Sequence, residues 1–192
     1  AWRDTTMVET VGLGTIARVV SSGQEIYRSK LRFADAAERI NGYYRPYHRA
    51  LSQLIDETKA RFGWCVLVDC HSMPSVGGPL DPDAGRGRAD FVLGDCFGTA
   101  CGEQVTRTVE DALRGMGHAV IRNRPFAGGY TTRHYGRPTS TGVHALQIEI
   151  NRALYMDERR IARAEGFAKM AREMTEVIAS LCQLESLDLA AE

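Results

Sequence analysis

Between Ala34 and Phe62 the apolar residues Ala37, Ile40, Tyr44, Tyr47, Leu51, Leu54, Ile55 and Phe62 recur every three or four positions, the period of one helix face. Pro46 divides this stretch. A proline is tolerated in a first turn, which predicts a second helix starting near Arg45 and ending where Gly63 supplies a left-handed cap. The apolar run Trp64–Val68 then reads as a short strand buried on both faces, closed by the polar string Asp69-Cys70-His71-Ser72. Residues 74–98 read as loop, rich in Pro and Gly, with one apolar patch at Phe91-Val92-Leu93. Val105, Val109, Leu113 and Met116 predict a second amphipathic helix stopping at Gly117. A strand follows at Ala119–Ile121, and then a loop from Asn123 to Gly142 dense in Arg, Gly and Tyr. A third strand is expected over Ala145–Ile150. A long helix with Asp157 as its N-cap would place Ile161, Ala164, Ala168, Ala171, Ile178 and Leu181 on one face. A further strand is expected at Thr15–Val20. Strands alternating with helices predict one α/β domain over residues 1–192, layered around a mostly parallel or mixed sheet.

Charge narrows the function classes. Lys and Arg balance Asp and Glu, 24 against 24, so the chain has no basic footprint for nucleic acid. No apolar run approaches the ~18 residues that a bilayer helix needs, so no membrane partner is expected. The five cysteines lack CxxC spacing and read as reduced, small buried hydrophobes, which suits a cytoplasmic setting.

In open α/β sheets ligands bind beyond the carboxyl ends of strands, so polar residues that end apolar runs are the ones to weigh. His71 is placed to act as an imidazole metal ligand, as a general base, or as a loop anchor. Asp69, two residues earlier, shares its face and would support it. Glu149 lies between Ile148 and Ile150, where a carboxylate is costly unless it is paired or faces a polar cavity. It serves either as half of an ion pair with Arg152 or Arg124, or as the carboxylate that deprotonates a hydrolytic water. The loop from Asn123 to Arg137 carries Arg124, Arg133 and Arg137, and guanidinium forks suit a small carboxylate ligand. Surface pairing with Asp81, Asp83 or Asp90 is the alternative. His48, His118 and His144 are read as core or surface histidines.

The strings Leu67–Ser75, Asp90–Asp95, Asn123–Tyr130 and Gln147–Arg152, together with Arg39-Ile40 and Pro46-Tyr47-His48 upstream, resemble the N-formylglutamate amidohydrolase (deformylase) family from about Gly12 to Glu158. The resemblance implies a three-layer, phosphorylase/hydrolase-like α/β fold akin to zinc carboxypeptidases and aspartoacylases. It implies hydrolysis of N-formyl-L-glutamate to formate and L-glutamate in histidine degradation, with a divalent metal, zinc first, as cofactor. By the same resemblance His71 is a metal ligand and Glu149 the catalytic acid or base. Arg124, Arg133 and Arg152, with Asn123, Tyr130 and His134 nearby, would hold a small anionic amino-acid derivative.

Family members also carry a Pro-His-Ser-Gly motif expected to supply the first metal histidine, and nothing like it precedes Gly12. The expectation is therefore an enzyme missing an N-terminal portion. The alternative is a non-catalytic relative binding an acidic metabolite through the arginine loop. A homo-oligomer is compatible with either.

Overall fold

The computed structural model describes residues 15–20 and 22–184. Helix α1 (Phe33–Arg39) runs through one π-helical turn (Ile40–Tyr44) into α2 (Arg45–Phe62). Pro46 sits in the first turn of α2, where its missing N–H costs nothing, and Gly63 takes the left-handed conformation at φ 83°. Both positions follow the sequence reading.

Strand β1 (Cys65–Met73) pairs in parallel with β4 (Val143–Asn151), from Cys65 opposite Val143 to Met73 opposite Asn151. β2 (Phe91–Gly94) runs antiparallel to β4 and parallel to β3 (Val120–Arg122), giving a mixed four-stranded sheet ordered β1-β4-β2-β3. Helices α3 (Glu103–Gly115) and α6 (Phe167–Leu181) cover one face. Val105, Val109 and Leu113 of α3 and Met170, Val177 and Leu181 of α6 meet Phe91, Leu93, Leu146 and Ile148 there, forming the main core. On the opposite face Ile55 of α2 packs with Cys65 and Val143, and Tyr135 of α4 (Tyr130–Tyr135) joins them. Helices thus flank a mixed sheet on both sides, the expected α/β layering.

Several sequence expectations are corrected. Phe91–Leu93 belongs to a fully buried strand rather than a loop patch, because pairing on both sides makes a strand of an apolar run too short to be told from a loop patch by itself. β1 does not stop at Val68. It continues through the polar string, and residues 66–72 keep solvent contact because β1 is the sheet edge among the described residues. The stretch at 15–20 holds one isolated bridge, Val19 to Glu25, in place of a strand.

The 123–142 segment contains α4 and a short α5 (Pro138–Thr141). Asp157 caps no long helix. It accepts hydrogen bonds from the Arg159 and Arg160 N–H groups inside a small hairpin, β5 (Met156–Asp157) with β6 (Ala162–Arg163), and the helix starts only at Phe167. Of the cysteines Cys65 and Cys101 are buried, whereas Cys70 and Cys182 are exposed and Cys96 lies between. No helix among the described residues is long and apolar enough to cross a membrane.

Candidate active site

Alternation along β1 and β4 sends their odd-numbered side chains to the face away from the main core. At the strand starts that face is apolar, with Cys65, Leu67 and Val143 in the Ile55 cluster. One level further along both strands it turns polar, and the parallel register sets Asp69 beside Gln147 and His71 beside Glu149. The charged group is therefore concentrated at the carboxyl ends of two neighbouring strands, where α/β sheets bind ligands.

His71 bridges two carboxylates. Its Nε2 lies 3.2 Å from Asp69 Oδ1 and its Nδ1 lies 3.5 Å from Glu149 Oε1. Hydrogen bonding to Asp69, and next to Glu149, pushes the imidazole up to about 10 against the opposing effect of burial. Glu149 is 5 % exposed and also accepts a hydrogen bond at Oε1 from Gln147 Nε2, at 2.9 Å. Its Oε2 accepts nothing from the described residues. The one fully buried side-chain N or O atom without a partner among them is Thr132 Oγ1, so Glu149 Oε2 stays open to solvent.

The loop after β3 closes over this group. A Cβ on Gly94 would lie 2.7 Å from the Gly128 nitrogen, so the loop crosses the end of β2 only because Gly94 has no side chain. Gly128 itself sits at φ 123°, and the N–H of the next residue, Gly129, donates to Gln147 Oε1 at 2.7 Å. Gly129 caps α4, which carries Tyr130, Arg133 and His134. The Tyr130 and His134 rings stack at 4.9 Å, and His48 of α2 approaches both, at 5.4 and 6.4 Å between centroids. His48 Nδ1 lies 2.7 Å from the Tyr135 hydroxyl, and burial, with His134 nearby, holds His48 below its ordinary value. Tyr44 extends the cluster from the π-turn, its phenol pushed up by burial and by Tyr130.

The other candidates are placed as follows. Arg124 and Arg133 are exposed, and their guanidinium groups make no ion pair with described residues. Arg152 donates to Ser72, from Nε to Oγ at 3.2 Å and from Nη2 to the carbonyl at 3.3 Å, so it ties down the end of β1. Neither Arg124 nor Arg152 pairs with Glu149, whose cation is His71. Asn123 braces the turn after β2, donating to Asp95 Oδ1 and accepting from the Asp95 and Phe97 N–H groups. Asp81 and Asp83 pair with the buried Arg88 and not with the arginine loop.

His118 and His144 lie apart from the site, bonded to Glu173 and to the Gly102 N–H. Sequence reasoning passed over Gln147 and His48. Gln147 was detectable as a polar residue two positions before Glu149 on the same strand face, and His48 as part of the Pro46-Tyr47-His48 pattern, although the sequence reading left it among the core or surface histidines.

A catalytic zinc takes about three protein ligands plus water. Among the described residues no three His, Cys, Asp or Glu side chains converge to hold a metal ion. Both His71 nitrogens face carboxylates, in the geometry of an imidazolium between acids. These residues alone do not fit the metal that the resemblance implies.

Residues 2–156 match the sequence model of the N-formylglutamate amidohydrolase family. The chain is 32 % identical over 184 residues to an N-formylglutamate deformylase of Pseudomonas aeruginosa, covering 90 % of this chain and 66 % of that protein. It is 33 % identical over 117 residues to an N-formylglutamate deformylase of Pseudomonas putida, covering 60 % and 42 %. The crystal structure of an N-formylglutamate amidohydrolase from Ralstonia eutropha JMP134 superposes with a TM-score of 0.79 at 38 % identity, over 95 % of this chain and 63 % of that one. An Agrobacterium tumefaciens gene product shares the fold, with a TM-score of 0.58 at 23 % identity over 80 % of this chain and 56 % of that one. The chain thus spans two thirds or less of the length of these relatives.

Proposed function

The chain belongs to the N-formylglutamate amidohydrolase family, and from that membership we propose that it carries the hydrolytic face of an enzyme cleaving N-formyl-L-glutamate to formate and L-glutamate. The observation that carries the reading is Glu149: a buried carboxylate with one oxygen committed to Gln147 and His71 and the other left open. In this reading Oε2 takes a proton from water as the water oxygen bonds to the formyl carbon. The C–N bond then breaks and the same proton passes to the departing amine. His71, with Nδ1 3.5 Å from Oε1, helps to hold Glu149 in place.

The unpaired guanidinium groups of Arg124 and Arg133 bind the substrate carboxylates, and the stacked Tyr130 and His134 rings form a wall beside them. Arg152 and Asn123 shape the site through β1 and the turn after β2. A divalent metal, zinc first, belongs to the same proposal with His71 as one ligand. The described residues do not complete that ligand set, and no step above is routed through it. A place in histidine degradation, a cytoplasmic setting and kinship of fold with zinc carboxypeptidases and aspartoacylases are parts of the proposal too.

The test is formate release from N-formyl-L-glutamate by this chain. Glu149→Gln is expected to lower kcat by about 10²- to 10⁴-fold with KM little changed. Near-normal turnover by that variant would remove Glu149 from its role. L-glutamate binding without formate release at any metal concentration would favour the non-catalytic alternative.

A further inference from the structure

We infer that Gln147 is a positioning residue of this reaction, one side-chain amide that both sets which oxygen of Glu149 acts and ties that carboxylate to the helix carrying the substrate-binding candidates. The inference rests on the proposed role of Glu149.

Orientation of the amide follows from its partners. The Gly129 N–H can only donate, so the Gln147 atom it meets at 2.7 Å is the carbonyl oxygen. The opposite end is then the NH₂ group, and it donates to Glu149 Oε1 at 2.9 Å. A flipped amide would set N–H against N–H on one side and oxygen against carboxylate on the other. Gln147 is 3 % exposed, and unmaking either bond would strand a buried polar group.

Two consequences follow. Oε1 of Glu149 accepts from Gln147 and lies 3.5 Å from His71 Nδ1, which leaves Oε2 as the working oxygen. Gly129 is the N-terminal cap of α4, so its position sets where the helix that carries Tyr130, Arg133 and His134 begins. The register strengthens the link, because Gln147 lies between Asp69 on β1 and Gly94 on β2, the residue over which the loop crosses. A shift of α4 is therefore felt at Glu149 through three consecutive groups, Gly129, Gln147 and Glu149.

Two substitutions separate the halves of this role. Gln147→Glu keeps an acceptor for the Gly129 N–H but replaces the donor facing Glu149, and it is expected to lower kcat about tenfold or more with KM nearly unchanged. Gln147→Leu removes both bonds. It is expected to lower kcat, to raise KM by a similar factor, to weaken L-glutamate binding measured by calorimetry and to speed hydrogen exchange at the Gly129 amide. If Gln147→Leu does not fold, Gln147→Glu still carries the test through its split between kcat and KM.

Glu149→Gln serves as the control. Loss of turnover in Glu149→Gln with normal kcat, KM, affinity and exchange in both Gln147 variants would overturn this inference and leave the role of Glu149 standing. If Glu149→Gln turns over normally, or the chain releases no formate, the reading of Glu149 fails by itself. L-glutamate affinity and Gly129 exchange in Gln147→Leu then decide the tie to α4, and unchanged values for both would overturn it.

Discussion

Gly94→Ala is the most informative single change, because it adds one methyl group at the crossing of loop and sheet. The new Cβ would stand 2.7 Å from the Gly128 nitrogen, 2.8 Å from the Ala127 carbonyl carbon and 3.0 Å from its oxygen. All three are backbone atoms, so no side chain can swing aside. Restoring ordinary contact near 3.4 Å requires the loop to lift by about 0.7 Å. Two hydrogen bonds oppose that movement, Cys96 N–H to Ala127 C=O and Gly129 N–H to Gln147 Oε1, both at 2.7 Å.

Lifting the loop by that distance stretches the second bond towards the limit of a hydrogen bond and moves α4 with it. The steric cost is that of overpacking, ~1–3 kcal/mol, and misplacing a binding group by close to an ångström costs up to about 10²-fold in rate. Urea unfolding should therefore show a lower midpoint with an unchanged slope, and formate release a fall of roughly 10- to 100-fold in kcat/KM. An unchanged midpoint together with a kcat/KM within twofold of the parent would refute the close crossing and the coupling built on it.

Arg88→Met is expected to destabilise by ~3–5 kcal/mol in the same unfolding assay, because it leaves Asp81 and Asp83 facing a buried position without their cation; a loss under about 1 kcal/mol would contradict the pairing. Hydrogen bonding to Arg88 holds the Asp83 carboxyl below the ordinary carboxylate range despite burial. The stability this contributes is present above the unfolded carboxylate value near ~4 and is lost as pH falls through the lower folded value, so acid titration of stability should flatten there in Arg88→Met. A chelator is expected to abolish formate release and added zinc to restore it, with metal content by mass spectrometry as the direct measure; turnover in a metal-free preparation would count against the cofactor. His71→Ala should lower that metal content, and unchanged metal binding would take His71 out of the ligand set.

Local chemistry made much of the fold legible in the chain. Helix α2 follows from its apolar period, Pro46 in the first turn and Gly63 at the end, and α3 from Val105, Val109 and Leu113. β4 was readable from the apolar positions Ala145, Leu146, Ile148 and Ile150, and eight of its nine residues are buried. Asp69, His71 and Glu149 stood out for a related reason: charged groups in or at the end of apolar runs need partners, and each supplies one to another.

Elements whose stability comes from distant partners were another matter. β2 has four residues and becomes a strand through β3 and β4. Asp157 has the side chain of a helix cap and spends it on a hairpin turn, because the chain must reverse before α6 can pack on α3. Within the site, Asn123 and Arg152 have the chemistry of ligand-binding residues, but their hydrogen bonds go to the turn after β2 and to Ser72. Gln147 became visible as a bridge only when the loop was laid across Gly94. Periodicity and burial cost act over a few residues and are written along the chain, whereas hydrogen-bond partners 18 to 80 residues apart exist only once the sheet has set their register.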